Sequence, residues 1–361
     1  MEVTPGACGI TSKIYPLALP RGTEKFCELC QGPATLQCTK CRVTFYCDAE
    51  HQQADWAGIH ERICPLLIPI RTQSLCSLTK ADQIHVELKK VELMGICMSV
   101  AQSKLSERKY EEALPAAQFC LRCSMDVHSP SANHLIPAYL LLAEANFGVS
   151  NLALVTELLS QAEWAVLKSP ECGHEIYQRL HRSLGRLQVA TGNLDAALLN
   201  FANDIYHASE AYGLDSTVAC RGHFLMADVF AKQGKTAIAC SMFSEVAGTW
   251  HTHLTKHIET HIQNVQPSFD KSQHTEVDET LRTVLEFWQN EDRKNSGQIA
   301  LVAHCLAMLW FLGGDSQKAL GFGNVALQAS QLIPNHDLTE PIQTLLQLVQ
   351  NPQREQHPGC N

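Results

Sequence analysis

The sequence has 361 residues, of which 45% are hydrophobic and 18% are charged, and its formal net charge is -9. This composition excludes a disordered polyelectrolyte, and the acidic balance offers no source for the phosphate attraction on which most nucleic-acid binding depends. We therefore expect a folded chain of roughly one to three domains that does not bind nucleic acid.

The first segment, residues 1–24, is rich in proline, glycine and polar residues, and we predict a disordered tail there. Its apolar stretch at residues 14–19 contains Pro16 and follows no basic segment, so we do not expect a signal peptide. The chain has 16 cysteines. Without a secretory signal, so many cysteines indicate an intracellular, reducing environment and metal binding rather than disulfides.

Eight candidate metal ligands follow within a short segment. They are Cys27, Cys30, Cys38, Cys41, Cys47, His51, His60 and Cys64. A Cys-x2-Cys pair directs two sulfurs to one ion through a tight turn, and the i,i+4 pairs Cys47/His51 and His60/Cys64 each lie on one helical face. Eight ligands complete two closed tetrahedral sites, which predicts two structural Zn²⁺ ions and no catalytic metal.

The residues around these ligands resemble a known family. The run Phe45-Tyr46-Cys47, and Gln52, Gln53, Asp55 and Trp56 ahead of His60, are similar to the MYND-type zinc finger, which we predict at residues 25–66. The resemblance implies interleaved ligands, with one zinc on Cys27, Cys30, Cys47 and His51 and the other on Cys38, Cys41, His60 and Cys64. The alternative is sequential, with Cys27, Cys30, Cys38 and Cys41 on one ion.

MYND fingers bind short proline-rich peptides that carry a leucine between prolines. By this resemblance Trp56 is either an aromatic wall for such a peptide or a packing residue that closes the finger. Residues 65–69, Pro-Leu-Leu-Ile-Pro, fit the same peptide pattern. Because they directly follow Cys64, we predict a linker whose prolines end the last helix of the finger.

Residues 67–350 carry a repeat of helical character. Small residues recur 42 positions apart at Ala101, Ala143, Gly185 and Ala227. Twelve positions after each small residue lies another small or apolar residue: Ala113, Val155, Ala197 and Ala239. Four positions further lie Ala117, Leu159, Phe201 and Phe243. A fifth copy of the pattern contains Ala307, Ala319 and Gly323. Two helices can approach closely at small side chains, so the pattern predicts helical hairpins, with turns at Gly192, Gly234 and Gly314.

Residues 108–114 and 192–198 are the best matches to the tetratricopeptide repeat (TPR), which this pattern resembles. The period is longer than the usual length of about 34 residues, so a HEAT-like repeat is the alternative. The predicted fold class is all-α, a TPR-like α-solenoid with a small N-terminal double-zinc MYND finger.

The repeat register fails between the fourth and fifth copies. We predict a polar loop at residues 264–279, a short amphipathic helix at 280–289 and a charged turn at 290–297. The longest apolar run, residues 299–312, is shorter than the ~18–20 residues that span a bilayer, so we predict a buried helix. Residues 351–361 are predicted to be a second disordered tail.

Four histidines, His251, His253, His257 and His261, lie close together before this break. His253, His257 and His261 recur at i, i+4 and i+8 and would share one helix face. We interpret them as incidental residues on a polar helix surface. The alternatives are a chelate for a divalent ion and a pH-responsive contact.

The expected function is that of a non-enzymatic adaptor or scaffold that binds partner proteins through peptide or helix segments, without a membrane or a small-molecule substrate. Relatives with this pairing of finger and repeats include intracellular assembly factors, some of them tied to motile cilia. The resemblance therefore implies a cytoplasmic protein, with association with a cilium or flagellum. One alternative is a transcriptional co-regulator recruited through the finger. The other is a SET-type methyltransferase, suggested by Asn133-His134, although no strand-rich cofactor domain is expected beside it.

Overall fold

The computed structural model of the chain describes residues 11–13, 24–72, 80–128, 133–169, 171–262, 271–290 and 295–350. Two compact units, Met1–Ile176 and Tyr177–Asn361, make up the chain. Within the described residues the chain is mostly helical, and consecutive helices pack in pairs, which confirms the predicted all-α, solenoid-like class.

The first unit begins with a three-stranded antiparallel sheet in the order β1-β2-β3. The strands are β1 Thr11–Lys13, β2 Leu36–Cys38 and β3 Phe45–Tyr46. The strand β1 corrects the prediction of a disordered tail for these three residues. A strand of three residues is too short to show an alternating hydrophobic pattern in the sequence. It forms here by pairing with β2. The remaining residues up to 23, and the predicted tail at 351–361, lie outside the described residues.

The helical part of the finger runs without a break from α1, Ala49–Asp55, through a π-helical turn, Trp56–His60, into α2, Glu61–Thr72. The side chain of Asp48 caps α1 by accepting the backbone N–H of His51. Pro65 and Pro69 lie inside α2, so the prediction that they end the helix is wrong. Each proline costs a helix about 3 kcal/mol, and burial of apolar side chains along α2 offsets this cost.

Two helical hairpins complete the first unit. They consist of α3 Lys80–Ser106, α4 Tyr110–Val127, α5 Ile136–Gly148 and α6 Leu152–Lys168, with a 3₁₀ turn, Asn133–Leu135, before α5. Each helix packs on the next one along the chain. The helices α4 and α5 approach closely at Gly148. A Cβ added there would lie 2.0 Å from the Tyr110 ring.

The second unit repeats the hairpin arrangement. Its helices are α7 His174–Ala190, which begins just before the boundary, α8 Leu194–Tyr212, α9 Thr217–Lys232, α10 Thr236–Ile262, α11 Lys271–Gln289, α12 Ser296–Leu312, α13 Ser316–Gln331 and α14 Thr339–Gln350. A large hydrophobic cluster joins α9 through α14.

The small and apolar positions of the predicted repeat are all buried where the hairpin helices meet. These are Ala101, Ala113, Ala117, Ala143, Val155, Leu159, Gly185, Ala197, Phe201, Ala227, Ala239, Phe243, Ala307, Ala319 and Gly323. A Cβ added at Gly185 would lie 2.4 Å from the Phe201 ring, so close packing requires glycine there. The predicted turns at Gly192, Gly234 and Gly314 have φ values of 82°, 72° and 80°, the left-handed region that favours glycine.

The break in the repeat contains a helix where the sequence predicts a polar loop at residues 264–279. Residues 263–270 lie outside the described part, and α11 already begins at Lys271. The apolar face of α11, which includes Leu281 and Trp288, packs on α12. Because this face begins only at Val277, the first turn and a half of α11 has no amphipathic pattern from which a helix could be predicted.

The long apolar run is a buried helix, as predicted. Ten residues of α12 are buried, among them His304. No helix in the described parts of the chain is both long enough and apolar enough to span a bilayer.

Candidate metal centre

The first group of predicted ligands is formed by Cys27, Cys30, Cys47 and His51. Cys27 and Cys30 lie in a tight turn in which the Cys27 carbonyl accepts the N–H of Gln31 at 3.0 Å. Cys47 follows β3, and His51 lies in the first turn of α1. The Sγ atom of Cys27 lies 3.6 Å from Nδ1 of His51, and the Sγ atoms of Cys30 and Cys47 are also 3.6 Å apart.

The second group is formed by Cys38, Cys41, His60 and Cys64, all of them buried. Cys38 and Cys41 lie in a second tight turn, where the Cys38 carbonyl accepts the N–H of Arg42 at 3.0 Å. His60 ends the π-helical turn, and Cys64 lies one turn later in α2. The Sγ atom of Cys41 lies 3.6 Å from Nε2 of His60.

The two cysteine turns share one backbone conformation. The residue after the second cysteine, Gln31 in the first turn and Arg42 in the second, has a φ of 58° and 60° respectively. A left-handed residue at this point reverses the chain, so both sulfurs of each turn lie on the same side.

These groups fit zinc. Within each group the four ligand atoms all lie within 4.8 Å of one another. A tetrahedral zinc site with Zn–S bonds of about 2.3 Å and Zn–N bonds of about 2.0 Å places neighbouring ligand atoms about 3.5–3.8 Å apart. The three distances of 3.6 Å match this value, whereas Cys47 Sγ and His51 Nδ1, at 2.9 Å, would have to separate. Two Cys₃His donor sets fit two structural zinc ions, and the ligands interleave rather than follow one another in sequence.

A buried carboxylate supports the second group. Oδ2 of Asp55 accepts the Tyr46 hydroxyl at 2.7 Å and lies 3.6 Å from Nδ1 of His60. Burial raises the pKa of Asp55 to about 6, against the opposite effects of His60 and of the Tyr46 hydroxyl. A carboxylate behind a ligating imidazole orients the ring. The sequence alone marks Asp55 only as part of the MYND resemblance and does not indicate this role.

The finger is attached to the first hairpin by an ion-pair network that the sequence did not reveal. Glu28, in the first cysteine turn, accepts two hydrogen bonds from Arg71 of α2, at 2.8 and 2.9 Å, and one from Arg122 of α4 at 2.6 Å. Burial alone would raise the pKa of Glu28, but the two arginines lower it below its ordinary value. The carboxylate is therefore ionised at neutral pH. Beside the network lies a cavity of about 470 Å³.

The π-helical turn packs directly on α4. A Cβ added at Gly58 would lie 2.7 Å from Cγ of Pro115 and 3.1 Å from the Glu112 carbonyl oxygen. The finger and the hairpins α3–α6 thus belong to one compact unit. The boundary predicted at residue 66 does not separate two independently packed bodies.

Comparison with protein families agrees with this geometry. The family model described as "MYND finger" matches residues 27–64. These residues form a MYND finger. One solved structure, described as the crystal structure of BtubC (BKLC) from P. vanneervenii, is similar over 67% of this chain and 92% of that chain, with 15% identity and a TM-score of 0.30. A TM-score of this size does not establish a shared fold.

Two features of the MYND finger bear on peptide binding. The Trp56 ring is half-buried, with its centroid 5.7 Å from that of His60, and Lys40 Nζ lies 4.4 Å from its centroid. Trp56 therefore packs on the finger and still exposes part of its indole. Residues 65–69 are helical and Leu67 is buried, so this segment is not an extended peptide ligand.

The predicted histidine face lies on α10 but does not converge on one point. Nε2 of His253 lies 3.1 Å from Nε2 of His257, whereas the ring of His261 lies against Phe311, with 5.8 Å between centroids. His251 pairs instead with buried His304 of α12, at 3.2 Å. In the described parts of the chain, only the two finger groups bring three or more potential metal ligands together.

We expect the triple substitution His253→Gln, His257→Gln and His261→Gln to change the Tm by less than about 2 °C, because His261 is exposed and His253 and His257 are only partly buried. Differential scanning fluorimetry of the zinc-loaded protein, with and without excess zinc, measures this. A rise in Tm with excess zinc that occurs in the parent and not in the variant would show a third metal site and contradict the expectation.

Proposed function

We propose that the chain is a non-enzymatic adaptor that binds partner proteins through its MYND finger and its helical hairpins. The closed donor sets carry this proposal. All eight ligands belong to two complete Cys₃His groups, so a zinc ion held there has no open position for water or substrate. The metal then serves to fold a protein-interaction module, and the helices that follow add surface for further contacts.

The helical body supplies the larger part of the binding surface in this proposal. The described helices from α3 to α14 contain far more residues than the small MYND finger. We propose that the hairpins hold the main partner and that the finger adds a weaker contact, the two acting together through effective concentration.

Affinity purification of the full-length chain followed by mass spectrometry tests this division. The Trp56→Ala variant, which removes the half-buried indole of the finger, is expected to retain the main partners and to lose part of their yield. The matched control is Trp164→Ala, because Trp164 is a half-exposed tryptophan on α6, outside the finger. Loss of every partner in Trp56→Ala, with none lost in Trp164→Ala, would place the binding in the finger and contradict the proposal.

The methyltransferase alternative is tested separately. Titration calorimetry of the full-length chain with S-adenosylmethionine is expected to show no heat of binding, because the proposal assigns no cofactor site to this chain. Saturable binding of one equivalent would support the methyltransferase alternative and overturn the adaptor proposal.

The finer part of the proposal is a role in assembling a cytoskeletal or ciliary complex in the cytoplasm. Its support is the layout of a MYND finger followed by TPR-like hairpins, which resembles zinc finger MYND domain-containing protein 12. Fluorescence imaging of the tagged chain in ciliated cells tests it. Signal in the cytoplasm and along the axoneme is expected, whereas nuclear accumulation would favour the co-regulator alternative.

A further inference from the structure

The helix α3 has apolar residues on two opposite faces. One face is buried in the first unit and includes Leu93, Cys97 and Ala101. The other face carries Ile84, Leu88 and Val91, whose exposed fractions are 58%, 63% and 49%. A helix with two apolar faces is normally covered on both of them.

The exposed face has the spacing of a helix–helix contact. Ile84, Leu88, Val91, Gly95 and Met98 alternate steps of four and three residues, and we call these five residues the α3 seam. This is the heptad pattern in which the a and d positions of one helix pack into those of another. A Cβ added at Gly95 would meet nothing within 4 Å, so the centre of the α3 seam is open to a second backbone.

Acidic residues border the α3 seam on both sides. Glu87 lies on one flank and Glu92 on the other, and both are exposed. In the part of the chain that the structure describes, neither carboxylate has an ion-pair partner. The nearby Lys90 is turned toward α4, where its Nζ lies 3.8 Å from Asp126.

These charges argue against a second copy of the chain as the occupant. In a parallel pair of α3 helices, Glu87 of one copy would face Glu92 of the other. In an antiparallel pair, each glutamate would face its own equivalent. Both arrangements would bring like charges face to face at the flanking positions, where stable coiled coils pair charges of opposite sign.

We propose that the α3 seam binds an amphipathic helix of a partner protein, with apolar residues at its heptad a and d positions and lysine or arginine at the flanking e and g positions. Such a helix covers the exposed apolar side chains and pairs with both glutamates. This inference rests on the proposed adaptor function and specifies one kind of partner for it.

The test uses the full-length chain and two synthetic peptides of about three heptads, with Leu and Ile at the a and d positions. One peptide has Lys at e and g, and the other has Glu. Fluorescence anisotropy is expected to show about tenfold tighter binding of the Lys peptide, because two flanking pairs change from repulsion to attraction. The double variant Glu87→Lys and Glu92→Lys is expected to reverse this preference.

Substitution in the α3 seam distinguishes specific binding from nonspecific hydrophobic adsorption. Leu88→Ser is expected to weaken binding of the Lys peptide at least about tenfold. The control Leu167→Ser, at an exposed leucine of α6, is expected to leave it unchanged. Circular dichroism is expected to show that both variants fold, since both leucines are mostly exposed.

Three results would overturn the inference. They are equal binding of both peptides to the parent and to the charge-reversed variant, equal loss of binding in Leu88→Ser and Leu167→Ser, and a dimer in sedimentation velocity that Leu88→Ser dissociates. If the peptides fail to bind while affinity purification still recovers partners from Leu88→Ser, the α3 seam is excluded and the adaptor proposal stands.

Discussion

Replacing Cys38 with serine is expected to lower the zinc content of the full-length protein from two ions per chain to one. Cys38 is fully buried and belongs to the second donor set, so its loss leaves three ligands and no compensating donor from solvent. Structural zinc contributes about 10–16 kcal/mol of apparent binding free energy in zinc-finger peptides. Inductively coupled plasma mass spectrometry of the purified protein measures the stoichiometry.

The destabilisation caused by Cys38→Ser should also extend beyond the finger. The second donor set positions the π-helical turn, and this turn packs on α4 through Gly58 and Pro115. We therefore expect faster amide hydrogen exchange in α4 as well as in the finger, and unchanged exchange in residues 177–350. The control Cys97→Ala removes a buried cysteine of α3 that is not a ligand, and it should retain two zinc ions. Two zinc ions in Cys38→Ser, or loss of zinc in Cys97→Ala, would contradict the assignment.

The second large effect is expected from Asp204→Ala in α8. Asp204 is fully buried and accepts hydrogen bonds from Arg182 at 2.8 and 3.0 Å and from Gln178 at 2.7 Å. Burial lowers the pKa of Arg182, and the attraction of Asp204 opposes this effect. Removing the carboxylate leaves a buried charge uncompensated, and the free energy of unfolding of the second unit should fall by about 3–5 kcal/mol.

Urea unfolding followed by hydrogen exchange in α7 and α8 measures this change. The matched control is Asp195→Ala, because Asp195 is an exposed aspartate of the same helix and bonds only the Gln233 side chain among its described contacts. A change below about 0.5 kcal/mol is expected for the control. Similar losses in both variants would show that the buried pair contributes no special stability.

The features that could be predicted from the sequence depend on short-range spacing. Both cysteine turns and both i,i+4 ligand pairs bring their atoms together within a few residues, so the sequence predicted the same eight residues that the structure groups. The hairpins were predictable because close helix packing requires small side chains, and Gly185 against Phe201 shows why such a position has to be small.

The features that could not be predicted depend on partners far apart in the chain. Glu28 and Arg122 are separated by 94 positions, and Arg182 and Asp204 lie on different helices. A charged residue in a sequence is by default a solvated one, and only the packing of the helices shows that these four are paired and largely shielded. The helix through Pro65 and Pro69 could not be predicted for a similar reason, because tertiary burial outweighs the local preference of proline.

The strand β1 has a practical consequence for fragments of this protein. Thr11–Lys13 pairs along the whole of β2, and β3 pairs on its other side. A finger that begins after Lys13 would leave one side of Leu36–Cys38 with unpaired backbone N–H and C=O groups, which readily recruit a strand from another molecule. Such a fragment is expected to self-associate through that edge and to give false peptide binding. Fragments of the finger should therefore begin before Thr11.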